Sequence, residues 1–383
     1  MKQKLLASLK KELENSFGRK VITSRDCIQL VEDIYHKTGE TVNANTLRRF
    51  FGLVKAEYPA SNSTLTILSK YCGFNSMEEI AEISSQDQGS PEISREEVSR
   101  YMVSLFRHTQ LSGSEDRNFY PLVEQTIIFL ERNPGLIDKF QREIARTATG
   151  QYYYYEKLPN TDRLNGYFGD GLRHYLREKN NDEGKVFAHS MQVYRYWLAG
   201  DDARLLQHFE AIPKPERSPR YPDHIMGRLI AARIYEAGVS RHPLDRILAE
   251  AKRQHGAIIA KREDSSFAFP DFEMMLCEAL LLTGHFEEGA EYSWHARNYL
   301  SASGQDKPTF FDLWDAFASA RREPGEKSTR GSEPHEFYHS VSRKYGMMIG
   351  LLAEKKRGRL NKAKQEQFED LLKDTGFKRL TQI

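Results

Sequence analysis

Apolar residues recur at three-and-four spacing along nearly the whole chain, and no segment shows the strict alternation of a half-buried strand. The pattern predicts an all-α protein. Near the N-terminus, Ser24 to Lys37 places Cys27, Ile28, Val31, Ile34 and Tyr35 on one helical face, with Ser24 as N-cap and Asp26 in the first turn. Thr38-Gly39-Glu40 then breaks the period, since glycine readily takes the positive φ that stops a helix sharply. A second, shorter helix is expected at once. Asn43 caps it, Ala44, Leu47, Phe50 and Phe51 face inward, and Gly52 ends it. Asn45, Thr46, Arg48 and Arg49 are left facing outward. This is the outline of a helix-turn-helix.

Beyond Ser84 the run SSQDQGSPE is polar and contains proline, which reads as a linker over residues 85–97 after a first domain of residues 1–84. Helical patterns then follow one another, among them SREEVSRYMVSLFRH, FYPLVEQTIIFLERN, GLIDKFQREIARTA, TDRLNGYFGDGLRHYLRE and KVFAHSMQVYRYWLAG. Three segments break at a glycine between two helical runs: YWLAGDDARLLQHF, IYEAGVSRHPLDRILAEA and LLLTGHFEEGAEYSWHA. The spacing of Gly200, Gly238 and Gly284 lies near the range of helix-pair repeats without a strict period. A helical-repeat domain over residues 98–322, with a concave groove suited to a peptide or protein ligand, is expected, with an irregular helical bundle as the alternative. Gly, Pro, Ser and charge accumulate again at REPGEKSTRGSEP, leaving residues 335–383 as C-terminal helices with a basic stretch, EKKRGRLNKAK.

The outward residues of the second short helix are those that major-groove reading requires. Asn pairs in bidentate fashion with adenine N6/N7, and Arg with guanine O6/N7. Asn45, Thr46, Arg48 and Arg49 are therefore the candidate base readers, with Lys10, Lys11, Arg19, Lys20, Arg25 and Lys55 as candidates for phosphate contact. The run TLRRFFG, followed by STLTILSKYCGF, resembles the DNA-binding module of bacterial helix-turn-helix proteins in which a TLxRxFG helix precedes a TLxxLxxYxGF helix. The matching positions are Thr46, Leu47, Arg49, Phe51 and Gly52, then Thr64, Leu65, Leu68, Tyr71, Gly73 and Phe74. Combined with the three hairpins, the chain is similar to regulators that join such a head to a C-terminal tetratricopeptide-like repeat domain. That resemblance implies a DNA-binding transcriptional regulator whose repeat domain senses a ligand or mediates assembly. Such readers usually bind paired half-sites, so a homodimer is expected.

Composition restrains this picture. A net charge of +2 over 383 residues supplies no overall field for nucleic acid, so any DNA contact must be local. Residues 1–84 carry 12 Lys and Arg against 10 Asp and Glu, again only +2. The three cysteines are far apart and sit in apolar helical patterns, which fits neither a disulfide framework nor a zinc cluster. The first residues read as an amphipathic helix and not as a signal peptide, and no apolar run is long enough for a bilayer, so a cytoplasmic protein is expected.

Candidate enzymatic motifs are few. His335-Glu336-Phe337-Tyr338-His339 is a literal HExxH, the pattern that holds zinc on two histidines one turn apart. Its flanks, Glu333 and Pro334 before the first histidine and no recognised third ligand after the second, leave a zinc hydrolase as a minor alternative. Gly166-Tyr-Phe-Gly169-Asp-Gly171 has no preceding strand, and Gly325-Glu326-Lys327-Ser328 lacks the first glycine of a phosphate loop, so both read as turns. The run Tyr152 to Tyr155 reads as packing between helices, with at least one ring outward. His174, His189, His255 and His285 read as surface or satisfied core groups. No catalytic set, metal or cofactor is implied. The principal alternative to the regulator is a helical scaffold that binds protein or peptide and no DNA.

Overall fold

The computed structural model describes residues 2–54, 60–74, 94–109, 119–214, 221–262, 268–303, 310–322 and 341–383. The fold is all-α, with no strand among the described residues. The chain divides into two compact units, Met1–Ser94 and Arg95–Ile383. Lys55, the HExxH at 335–339, the run 325–328 and most of both expected linkers lie outside the described residues.

The first unit contains α1 (Lys2–Phe17), α2 (Ser24–Thr38), α3 (Ala44–Phe51) and α4 (Asn62–Tyr71). Its core draws Leu9 and Leu13 from α1, Cys27, Leu30 and Ile34 from α2, Leu47 and Phe50 from α3, and Leu65 and Leu68 from α4. The cap of α2 is Thr23, one residue ahead of the expected Ser24: Thr23 and Asp26 form a reciprocal capping box. The inward face also differs from expectation. Leu30 is buried, whereas Ile28 and Tyr35 are exposed. Gly39 does end α2, at φ 71°. Lys37 ties three helices together: its ammonium donates to the Ser16 carbonyl at 3.1 Å, pairs with Asp33 at 3.2 Å and lies 4.5 Å from the centre of the Tyr71 ring.

The second unit runs through α5 (Arg95–His108), α6 (Phe119–Arg132), α7 (Ile137–Ile144), a π-helical segment (Gly150–Lys157), α8 (Tyr167–Glu178), α9 (Asp182–Ala199), α10 (Asp202–Glu210), α11 (Asp223–Ser240), α12 (Asp245–Arg262), α13 (Asp271–Leu282), α14 (Phe286–Ala302), α15 (Phe310–Arg322), α16 (Arg343–Lys356) and α17 (Lys362–Thr375). Alternate helices α9, α11, α13 and α15 pack side by side, and each of α9 and α13 also packs against the helix that follows it. Gly200 and Gly284 take the expected positive φ at the ends of α9 and α13. Gly238 does not. It lies within α11, and Arg241 at φ 56° ends that helix instead.

The sequence GYFGDG opens α8 and is not a turn. A Cβ on Gly169 would lie 2.1 Å from the Leu164 carbonyl oxygen, and one on Gly171 would lie 2.4 Å from the Gln141 amide. The glycines therefore serve close packing at the start of a helix. The tyrosine run forms the wider π turn, which buries Tyr153, Tyr154 and Tyr155 and leaves Tyr152 half-buried beside His224.

Residues 341–383 belong to this unit and share its core. Asp162 accepts hydrogen bonds from the backbone N–H groups of Lys344 and Tyr345, both at 2.9 Å, at the start of α16. Within the basic stretch, Arg357 donates to the Ala316 carbonyl at 3.0 Å and Lys364 pairs with Glu354 at 2.7 Å, so part of that charge is committed to packing.

Candidate nucleic-acid interface

α3 is short, and its two ends are fixed independently. The Asn43 side chain accepts from the Asn45 backbone N–H at 2.8 Å, and Gly52 closes the C-terminus at φ 81°. Leu47 and Phe50 anchor one side in the core. Asn45 and Arg49, one turn apart, are exposed on the other, and the Arg49 side chain makes no hydrogen bond or ion pair among the described residues. Thr46 and Arg48 are half-buried at the edges of that exposed strip. Arg48 Nη1 donates to Asn45 Oδ1 at 2.7 Å, while its Nε is buried without a partner. Asn45 and Arg48 thus form a preset pair beside a free Arg49.

The six lysines and arginines nominated for phosphate contact separate into groups. Lys10 lies 5.5 Å from the centre of the Phe50 ring, which brings its charge to α3. Lys11 and Arg25 are exposed and unpartnered among the described residues. Arg19 and Lys20 are engaged within the unit: Arg19 pairs with Asp26 at 3.3 Å and donates to Gln29, and Lys20 pairs with Glu14 at 2.7 Å. Burial raises the Glu14 pKa, but the Lys20 hydrogen bond and charge more than offset this and hold the carboxyl below the usual range. Hydrogen bonding from the Thr23 hydroxyl lowers Asp26 likewise. A phosphate would have to displace these carboxylates from Arg19 and Lys20, so the two are weaker contacts than Lys10, Lys11 or Arg25.

Besides Asp162, the second unit buries several carboxylates that the sequence did not single out, three of them in clusters of polar side chains. Glu156 accepts from the Tyr175 hydroxyl and the Lys179 ammonium, both at 2.7 Å, and from His224 Nε2 at 3.1 Å. Glu273 accepts from His255 Nε2 at 3.0 Å and from both terminal nitrogens of Arg262. Glu278 accepts from the Tyr345 hydroxyl at 2.7 Å and the Tyr194 hydroxyl at 2.9 Å, with Arg228 Nη1 at 3.6 Å from its other oxygen. A further buried pair joins Lys157 to Asp271. Each of these carboxylates is held by its neighbours within the core. Among the described residues no group of three or more His, Cys, Asp or Glu is placed to hold a metal ion. His174 is buried against Asp138 at 2.8 Å and His255 against Glu273, so these two are satisfied core groups.

Glu273 carries a pH dependence. Burial raises its pKa, but the hydrogen bonds from His255 and Arg262 outweigh that and bring it down from 4.5 to about 2. The folded-state value is the lower one, so the stabilisation is complete above the unfolded value and is lost as pH falls towards 2. This single group is expected to withdraw about 2 kcal/mol between pH 6 and pH 3. Urea unfolding across that range checks it, with a flatter profile expected for Glu273→Gln.

No family model, curated protein or solved structure matches this chain. Its candidate interface therefore rests on its own residues. Among the described residues, no helix is long and apolar enough to cross a membrane.

Proposed function

We propose that the chain is a DNA-binding transcriptional regulator of the cytoplasm. α2 and α3 act as a helix-turn-helix, with α3 entering the major groove of double-stranded DNA. The second unit acts as a helical-repeat domain that senses a ligand or mediates assembly, and the protein works as a homodimer. One observation carries this reading: α3 is anchored by Leu47 and Phe50 and capped at both ends, while the amide of Asn45 and the unpartnered guanidinium of Arg49 stand together on its exposed side. Rigid placement of residues able to make bidentate base contacts is what direct readout needs. Lys10 and Lys11 supply the adjoining phosphate contacts.

The test separates positioning from reading. Lys11→Ala is expected to weaken binding about equally on all duplexes and to reduce the salt slope by about one unit, whereas Arg49→Ala is expected to cost about 1–3 kcal/mol on preferred sites only. Fluorescence anisotropy with labelled duplexes at several salt concentrations measures both. Equal losses from the two substitutions on every sequence would reduce the activity to non-specific charge contact.

The scaffold reading is favoured by a different residue. Trp294 on α14 is 61 % exposed, and tryptophan at a surface is a frequent anchor for a protein partner.

A further inference from the structure

The exposed side of α2 carries an apolar stripe where a soluble helix usually carries charge. Ile28 is 45 % exposed and Tyr35 53 %, and Ile22, just ahead of the Thr23 cap, is 72 % exposed. Arg25 and Glu32 share the side of the helix that holds Ile28 and Tyr35, since the four are spaced by three, four and three residues. Both charges are exposed, and neither has a hydrogen bond or ion pair among the described residues.

The order of these residues is self-complementary. The midpoint of Arg25 and Glu32 falls between residues 28 and 29, beside Ile28. Two copies of α2 laid antiparallel about a two-fold axis at that point bring Ile28 against Ile28 at the centre. Arg25 then meets Glu32 of the second copy on each side, with Tyr35 beyond Glu32 towards the N-terminal end of the facing helix. A two-fold interface must pair residue i with j and j with i, and this stripe does so at its centre and in the charged layer on either side. We propose that α2 is the homodimer surface of the first unit, its occupant a second copy of this chain. Arg25, expected as a phosphate contact, is then engaged by Glu32 of the second copy.

One helix pair of this length covers less than the roughly 1,200 Å² of a standard stable interface, so the dimer is weak in free solution and is reinforced when both copies are held on one duplex. The surface rests on the dimeric part of the proposed function and not on DNA contact. Association is therefore measured without DNA, so that a failure of DNA binding and a failure of this pairing are seen separately.

The experiment is sedimentation velocity of the full chain over about 1–100 μM, the range in which an interface of this size associates. Arg25→Glu alone and Glu32→Arg alone are each expected to raise the dissociation constant at least about tenfold, because every substitution is made twice across the axis and sets like charges face to face. The double variant Arg25→Glu/Glu32→Arg restores opposite pairs and is expected to return to within about threefold of the native chain. All four proteins should keep the same circular dichroism melt, since both side chains are exposed. A chain that stays monomeric throughout the range, a dimer indifferent to the single changes, or a double variant no better than the singles would each overturn the pairing.

Discussion

Arg48→Ala combined with Arg49→Ala is expected to lower affinity for a preferred duplex by about a hundredfold or more while leaving the first unit folded. Each bidentate arginine contact contributes about 1–3 kcal/mol of discrimination, so losing two removes about 2–6 kcal/mol, and the roughly 2.7 kcal/mol of a hundredfold lies in the lower part of that range. The cost to folding is small. Arg49 is exposed, and the bond from Arg48 to Asn45 joins two side chains three residues apart on one helix. The two arginines are not equivalent. Arg49 is free to swing towards a base, whereas Arg48 must keep or exchange its contact with Asn45, so Arg49→Ala should account for the larger part. Electrophoretic shift and thermal unfolding of the same preparations check both halves: DNA binding lost with an unchanged melting temperature.

Glu278→Ala is expected to destabilise the second unit by about 3–5 kcal/mol, the usual cost of removing one partner from a buried ion pair. The substitution leaves Arg228 inside the unit without its counter-charge, and its Nε and Nη1 already lack hydrogen-bond acceptors. It also removes the carboxylate acceptor of the Tyr194 and Tyr345 hydroxyls, which are left with only each other. The reverse change is milder. Burial pushes the Glu278 carboxyl up despite Arg228 and the two tyrosines, so in Arg228→Met it can take a proton and stay hydrogen-bonded. All three tryptophans, Trp197, Trp294 and Trp314, lie in the second unit, so their fluorescence during denaturant unfolding reports on that unit alone. A Glu278→Ala unit within 1 kcal/mol of native, or Arg228→Met as damaging as Glu278→Ala, would contradict this account of the buried pair.

The helical class is legible in the sequence because the apolar period is local, and so are stops such as Gly39, Gly52 and Gly200, where a positive φ is needed within a few residues of the helix. The phase of an amphipathic face is less legible. In α2 both Cys27–Leu30–Ile34 and Ile28–Val31–Tyr35 have helical spacing, and the packing of α1, α3 and α4 selects the first set. Gly238 looks like a helix end for the same reason that Gly200 is one, yet α11 continues past it and stops at Arg241. The candidate site divides similarly. The capped helix α3 and its outward Asn45 and Arg49 follow from local pattern, while the neutralisation of Arg19 and Lys20 depends on Asp26 and Glu14 across a turn. The buried ionic groups are not readable at all, since Lys157 meets Asp271 and Tyr345 meets Glu278 only after the intervening helices have packed.

The measurement that bears most directly on the central claim is retention of a randomised duplex pool by the purified full-length protein at two salt concentrations, followed by sequencing of the retained DNA. The account expects an enriched motif that survives the higher salt, is arranged as an inverted repeat, and disappears with Arg48→Ala/Arg49→Ala. Weak retention that vanishes with salt and enriches no sequence, or none at all, would contradict it and leave the helical scaffold as the better description.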